Sequence, residues 1–537
     1  MRRLSPPGLQ NKWQEELLAR VGSRHWKPMT AGFKSLIGRT IPALILLICM
    51  ISLLHRRRHQ VRMSSDQISL RRLGSSGDSA GWRASCAPRT PDWYPPSDTN
   101  GYLVVRCNGG LNQQRTAICN AVVAARIMNA TLVLPRLGTD SLWHDGSDFS
   151  GVYDVEHFID SLKKDVKIIQ TLPAAWRKGT KRLKLRPLQL NPPRDASVSW
   201  YETAALEKMK RHGAIYLTPF SHRLDEKLDN LEYQRLRCRV NYHALRFNDD
   251  IRNLSSTIVQ RIRFGGPYVA IHLGFELDSL VFAGCLDGFT PEEQEILKKY
   301  RKKNFTEEKL ESNHRRLVGK CPLTPHEVGL LLQAIGFDRS TRIYLAVGGI
   351  FGGDRFLRPL RDLFPRLETR STLASPDELV HVSARHAALG PALDYMVCLL
   401  SDVFVPAYDG RSNFANNVIG QRLYYGFRTT LQPDREALAP LLIDLKKGRI
   451  GRSEFENSVR LIMRWKPLGG LHTRVFSESF YTNPWPECFC RVSSDDGLHK
   501  CPTVRVDLTV ADAMKGDMSS VNRTSQDMPT HDTNVDN

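Results

Sequence analysis

Between residue 101 and about residue 510 the chain alternates between two rhythms of apolar positions. Runs in which nearly every residue is apolar predict strands buried on both faces: Gly101–Arg106, Thr131–Pro135, Ala214–Leu217, Tyr268–Leu273, Thr341–Val347 and Val403–Val405. Between them lie stretches that predict helices: Gln113–Met128, Leu245–Arg263, Thr324–Ile335, Phe356–Leu363, Ala384–Leu400 and Phe414–Gly420. Thr324-Pro325-x-Glu327 is a helix start, with a capping hydroxyl followed by Pro at the first helical position. Strand and helix in alternation predict an α/β fold of parallel sheets with helices on both faces. The spacing allows two Rossmann-like halves, at 98–260 and 261–510. Ligands of such folds lie at the carboxyl ends of the strands, so motifs placed there are the candidates for chemistry.

Outside that region the pattern changes. Residues 1–30 form a basic tail, and 31–55 contain the apolar run Ile41–Leu54, followed by Arg56-Arg57-Arg58. That run gives roughly 21 Å of helix against a hydrocarbon core of ~30 Å, and Ala31–Gly38 extends it, with Lys34 and Arg39 near one interface. A single-pass membrane anchor is expected, because a run forty residues in, without a small-residue cleavage site, does not fit a cleaved signal. Basic residues on both flanks leave the orientation open. Residues 56–97, rich in Arg, Ser, Gly and Pro, read as a stem, and 511–537 as a disordered polar tail.

Composition narrows the partners. The formal charge of +20 invites a nucleic-acid reading, but residues 1–100 hold 16 Lys/Arg against 6 Asp/Glu and so carry half of it. No arginine-rich helix or zinc-finger spacing accompanies the remainder, and no nucleic acid is expected. Apart from Cys49 in the apolar run, ten of the 11 cysteines are scattered over the rest of the chain, which suits an oxidising lumen without fixing any pairing. Cys107 and Cys119 lie in apolar surroundings that also suit reduced thiols. Asn129, Asn253, Asn304 and Asn522 head glycosylation triplets.

Four strand-end motifs carry candidate chemistry. Cys107-Asn-Gly109-Gly110-Leu-Asn112-Gln-Gln-Arg115 joins a strand to a helix through paired glycines, where backbone N–H groups and Asn112 suit a phosphate or a hydroxyl. His272-Leu-Gly274-Phe-Glu276-Leu-Asp278 ends a strand in a histidine and two carboxylates; Glu276 or Asp278 is the candidate general base, with His272 beside it. Gly348-Gly349-Ile-Phe-Gly352-Gly353 is a second glycine-rich turn. Asp402 opens a strand that leads through Asp409 and Arg411 to Ser412, Asn413 and Phe414 at a helix start, where the hydroxyl, the amide and the backbone N–H groups are donors suited to a diphosphate and Arg411 adds charge. Each also has a structural reading: a tight turn, a satisfied core histidine, a capped helix. No Asp-x-Asp pair occurs, so no metal ligand set is assigned, and leaving-group charge falls to cationic side chains, helix N-termini and backbone donors.

Together with C321-P-L-T-P-H-E-V-G-L330, I343-Y-L-A346, A374-S-P-D-E-L379, L393-D-Y-M-V397, S401-D-V-F-V-P406, G426-F-R428 and N483-P-W-P-E-C-F-C490, these motifs make the chain resemble the plant O-fucosyltransferase-like family over about 101–490. The resemblance implies a GT-B architecture, two Rossmann-like domains facing a cleft, on a type II single-pass Golgi anchor with a lumenal catalytic domain. It further implies an inverting transferase without metal or cofactor, which moves fucose or another deoxyhexose from a nucleotide sugar such as GDP-fucose to a cell-wall polysaccharide or glycoprotein. By the same resemblance Asn112, His272, Asp402, Ser412, Asn413 and Phe414 would hold the donor, and the residue reading adds Gly109, Gly110 and Arg411 to them. Gly274 departs from the family, which commonly has an arginine there against the diphosphate, and Gly349 replaces an acid. Arg411 or Arg115 as a substitute, a different donor, and a noncatalytic glycan-binding or scaffold member are the alternatives this leaves open.

Overall fold

The computed structural model describes residues 89, 93, 98–138, 148–177, 186–305, 310–383, 389–407, 413–424, 430–464, 481 and 488, all within one compact unit, Ser79–Asn537. The expected basic tail, the anchor, the stem apart from residues 89 and 93, and the polar tail, together with Asp409, Arg411, Ser412 and Asn522, lie outside the described residues. Among the described residues no helix is long and apolar enough to cross a membrane.

The first sheet begins with β1 (Tyr102–Cys107), followed at once by α1 (Leu111–Ile127). Leu103, Val105 and Cys107 on one face are fully buried and Val104 on the other is 2% exposed, as a strand covered on both faces requires. The predicted strand after α1 is split at Pro135, which has no N–H for a sheet bond. β2 (Thr131–Val133) pairs with the amino half of β1, and β3 (Arg136–Leu137) with its carboxyl end. β4 (Ile168–Ile169), β5 (Leu188–Leu190) and β6 (Ala214–Leu217) complete a parallel sheet of order β4-β2-β1-β6-β5. Two helices close this half: α2 (Leu231–Arg239), which runs on into a π-helical turn at Val240–Ala244, and α3 (Asp249–Arg263). The helix expected from Leu245 starts four residues later, because Asn248 caps it by accepting the N–H of Ile251 at 3.1 Å.

The second sheet is built on β7 (Tyr268–His272), all five residues of it buried. After β7 come α4 (Leu277–Ala283), α5 (Pro291–Asn304), α6 (Pro325–Ala334) and β8 (Arg342–Ala346). The reciprocal bonds of Thr324 and Glu327, 2.9 and 3.2 Å, start α6 where the sequence signals it. α7 (Asp354–Leu363), β9 (Leu367–Glu368), α8 (Leu389–Leu399), β10 (Val403–Pro406) and α9 (Asn413–Tyr424) follow. The sheet is parallel throughout, in the order β10-β7-β8-β9, and its core interleaves Val269, Ile271, Ile343, Leu345 and Val405 with Val328, Leu332 and Leu360.

Cys238–Cys488 and Cys285–Cys321 are disulfides, whereas Cys107, Cys119 and Cys398 are buried free thiols. Asn129 is exposed with Nδ2 donating to Asp98 O at 2.8 Å; Asn253 and Asn304 are exposed on α3 and at the end of α5.

One packing detail makes stability depend on pH. The rings of His157 and His243 meet edge to face at 5.0 Å. Burial, then repulsion from His157, Arg246 and Arg89, pushes His243 down to about 4. A histidine held neutral in the fold takes its proton first in the unfolded chain, so stability is complete above about pH 6.5 and is lost as pH falls towards 4. Urea unfolding should therefore show a loss of about 2 kcal/mol between pH 7.5 and pH 5 from this residue. His243→Gln should flatten that dependence; an unchanged slope in the variant refutes the assignment.

Candidate functional site

The carboxyl end of β1 passes into a turn whose shape is fixed by side-chain bonds to the backbone. Asn108 Oδ1 accepts the N–H groups of Phe220 and Ser221 at 3.1 and 3.0 Å. Gly110 N donates to Gln113 Oε1 at 2.7 Å, while Gln114 Nε2 donates to Gly109 O at 2.7 Å. Gly109 sits at φ +85, and a Cβ there would lie 2.2 Å from Gln113 Oε1, so the turn requires glycine. The first turn of α1 holds no acidic residue, which leaves the positive end of the helix dipole uncompensated.

Within that turn Asn112 is 7% exposed, and its Oδ1 is buried without a hydrogen-bond partner among the described residues. An unmatched buried acceptor costs about 1–3 kcal/mol, so the position suits a hydroxyl or N–H donor.

Arg115, one turn further along the same helix face, does something else. Its Nε donates to Asn241 Oδ1 at 2.7 Å and Nη2 donates to the Asn241 carbonyl. Its guanidinium also lies 5.8 Å from the Phe247 ring and 5.3 Å from the Tyr395 ring. Asn241 Nδ2 donates in turn to Asn417 Oδ1 at 2.9 Å, tying the π-helical turn of the first half to α9 of the second. At 1% exposure Arg115 is a packing cation, and the structure removes it as the substitute for an arginine at 274.

From Tyr395 the contacts continue into the second sheet. Tyr395 meets Phe414 edge-on at 5.8 Å, and Phe414 stacks on His272 at 4.5 Å and 30°. Three consecutive ring contacts thus run from the first turns of α1 to the carboxyl end of β7. His272 and Phe414, read separately from the sequence, are in direct contact, and Arg115, one turn from Asn112, is connected to them through Tyr395. His272 is buried and bonded to the Ala346 carbonyl; burial lowers its pKa, and Glu276 and that bond oppose the shift. The ring is accordingly held neutral and oriented.

The two candidate carboxylates part company. Glu276 occupies the N-cap position of α4 without a side-chain capping bond, is half-buried, and acts electrostatically on both His272 and Asp394. Asp278 is exposed and hydrogen-bonded to Tyr300 of α5. Gly274 is buried at φ +62, where an arginine would add about 1 kcal/mol of backbone strain. Phe351 N donates to Phe275 O at 3.1 Å, which draws the second glycine turn against this segment; a Cβ at Gly349 would meet nothing within 4 Å.

Asp402 is not brought to this place. It precedes β10, and the register Val403↔Val269 to Pro406↔His272 puts it level with Tyr268, about 13 Å of strand from His272. Its carboxylate accepts Tyr268 N at 2.9 Å and Arg263 Nη2 at 3.1 Å. Asp402 therefore fastens the amino edge of the sheet, where motif reading had placed a donor contact. Sequence position misled because a strand delivers its first residue to the edge opposite its last.

The sequence reading also missed a buried network at the carboxyl edge. Asp394 accepts Tyr344 Oη at 2.7 Å and an ion pair from Arg370, whose Nη1 also donates to Val347 O at 3.2 Å. Burial pushes the Asp394 carboxyl up to about 6, against the pull of Arg370. Asp394 lies in the L393-D-Y motif, but Arg370 follows a two-residue strand too short to show a period.

Comparison with known proteins gives the following. Residues 102–425 match the family described as GDP-fucose protein O-fucosyltransferase. The chain is 55% identical over 509 residues to O-fucosyltransferase 1 of Arabidopsis thaliana, covering 94% of this chain and 96% of that protein. It is 38% identical over 399 residues to rhamnogalacturonan I rhamnosyltransferase 1 of the same plant, covering 72% and 77%. A crystal structure of POFUT1 in complex with GDP covers 63% of this chain at 14% identity and a TM-score of 0.39, too loose a match to carry residue positions across.

Proposed function

The chain belongs to the plant O-fucosyltransferase family of glycosyltransferases, and we propose that it transfers fucose, or another deoxyhexose, from a nucleotide sugar to a hydroxyl of a cell-wall polysaccharide or glycoprotein. The observation that carries this reading is the buried Oδ1 of Asn112 beside a helix N-terminus whose first turn holds no acidic residue, on a helix whose Arg115 connects through the rings of Tyr395 and Phe414 to His272. An unfilled acceptor suits a sugar hydroxyl, and the helix end suits an anion; a nucleotide sugar offers both. Relatives named for fucose and for rhamnose agree with a deoxyhexose.

In the proposed GT-B mechanism the acceptor oxygen attacks the anomeric carbon in line with the departing diphosphate, so configuration inverts. The carbon–oxygen bond to the diphosphate breaks and its electron pair leaves with that oxygen. The hydroxyl proton passes to the Glu276 carboxylate. His272, neutral and fixed by Phe414 and the Ala346 carbonyl, orients the donor. Without an Asp-x-Asp pair, side-chain and backbone donors meet the leaving charge and no metal takes part. A Golgi lumenal setting on a type II anchor is supported by the apolar run at 41–54 and by two disulfides, which persist in oxidising compartments.

Isothermal titration of the lumenal portion tests the donor site. GDP-fucose or UDP-rhamnose should bind, and Asn112→Ala should weaken the sugar nucleotide about 10-fold, with a smaller effect on the free diphosphate. The glycine at 274 favours a second reading, a noncatalytic glycan-binding or scaffold member. Silence towards every nucleotide sugar selects it.

A further inference from the structure

Departure of a nucleoside diphosphate concentrates negative charge on the oxygen that keeps the bonding pair, and a fixed cation beside it is the usual remedy. Position 274 offers no side chain, Arg115 is enclosed by Asn241, Phe247 and Tyr395, and Arg263 is at the opposite edge with Asp402. Arg355 is tied to Glu293 at 2.5 Å.

Arg370 is placed differently. β9 runs parallel to β8 with Tyr344 opposite Glu368, and β8 runs parallel to β7 with Ala346 opposite His272. Two residues beyond Glu368, Arg370 is therefore level with His272 at the carboxyl edge, two strands over, or about 10 Å before its side chain extends. The side chain reaches back to the end of the adjacent strand β8, since Nη1 bonds the carbonyl of Val347, the residue after the Ala346 whose carbonyl holds His272. Asp394 holds the same nitrogen, and Tyr344 holds Asp394, so the guanidinium is aimed by a buried pair. Its Nε and Nη2 have no acceptor among the described residues, and the side chain is 24% exposed. Gly390, at the start of α8, leaves the room: a Cβ there would press on Cζ at 3.2 Å and on Nε and Nη2 at 3.4 Å.

We propose that Arg370 binds the donor's diphosphate through Nε and Nη2 and stabilises the charge that gathers there as the sugar leaves. The proposal rests on the nucleotide-sugar reading above. No atom is transferred to Arg370; the bonding pair goes to the diphosphate oxygen and the guanidinium donates to it. Asp394 and Tyr344 are positioning residues that set the angle of the fork.

Titration of nucleosides against nucleoside diphosphates separates this role from a structural one. GDP and guanosine, and UDP and uridine, are measured on the wild type, and the base that binds is kept. The paired variant R370Q/D394N removes the charge without leaving a buried carboxylate unmatched. It should weaken the diphosphate about 10- to 100-fold and leave the nucleoside unchanged. R370K keeps the ion pair with Asp394 and serves if the paired variant does not fold; it should weaken the diphosphate several-fold, again without effect on the nucleoside. Equal losses for nucleoside and diphosphate in a folded variant, or none for either, overturn the proposal. A wild type that binds none of the four ligands overturns the donor reading itself, which is a different result.

Discussion

Glu276→Gln will lower transfer about 10²- to 10⁴-fold while nucleotide affinity stays at the wild-type value. The substitution keeps the size and hydrogen-bonding reach of the side chain and removes only its ability to take a proton. The effect should therefore fall on turnover and leave the binding of the donor alone. Two features single out Glu276. It stands at the start of α4 just beyond β7 with its carboxylate not used as a cap, and its charge is felt by both His272 and Asp394. Asp278 faces Tyr300 on α5, so Asp278→Asn should change the rate only a few-fold. Release of nucleoside diphosphate from the sugar donor, followed with and without an acceptor glycan, measures both variants. Full activity in Glu276→Gln with a dead Asp278→Asn would reverse the assignment, and the hydrogen bond from Tyr300 would then orient the base.

Arg115→Ala should destabilise the protein by about 3–5 kcal/mol, a large share of the 5–15 kcal/mol typical of a folded domain. Three losses combine there. Asn241 Oδ1 and its carbonyl lose their donors in a buried place, the rings of Phe247 and Tyr395 lose the cation between them, and a cavity opens. The damage should also spread to the donor site, since Tyr395 supports Phe414 and Phe414 supports His272. Urea unfolding gives the first quantity, and a double-mutant cycle of Arg115→Ala with Asn417→Ala gives the coupling through Asn241. A loss under about 1 kcal/mol, or strict additivity in that cycle, would show that the two halves are held elsewhere.

Much of the scaffold was legible because parallel strands covered on both faces must be apolar almost without interruption. Ala214–Leu217 is found with the predicted bounds, and β1, β7, β8 and β10 fall within a residue of theirs at either end. The capping box at Thr324 and Glu327 was legible for a similar reason, since it is satisfied within four residues. β4 and β9, two residues each, carry no period and were invisible, as was the π-helical turn that presents Asn241. The pairing of Cys285 with Cys321 and of Cys238 with Cys488 was equally beyond a count of cysteines.

By itself the sequence determined the α/β class, the strand-end motifs and the family, because each depends on residues that are neighbours along the chain. Only the tertiary structure decided what the charged groups do. Asp402 and His272 flank one short stretch of sheet, yet pairing sends the first to the amino edge with Arg263 and the second to the carboxyl edge against Phe414. Arg115 sits three residues from Asn112, yet it is spent on Asn241, while Arg370, far along the chain, arrives level with His272. The reason is physical: a charge acts on whatever lies within a few ångströms of it, and sheet register, which sets those distances, joins residues that the order of the chain keeps apart.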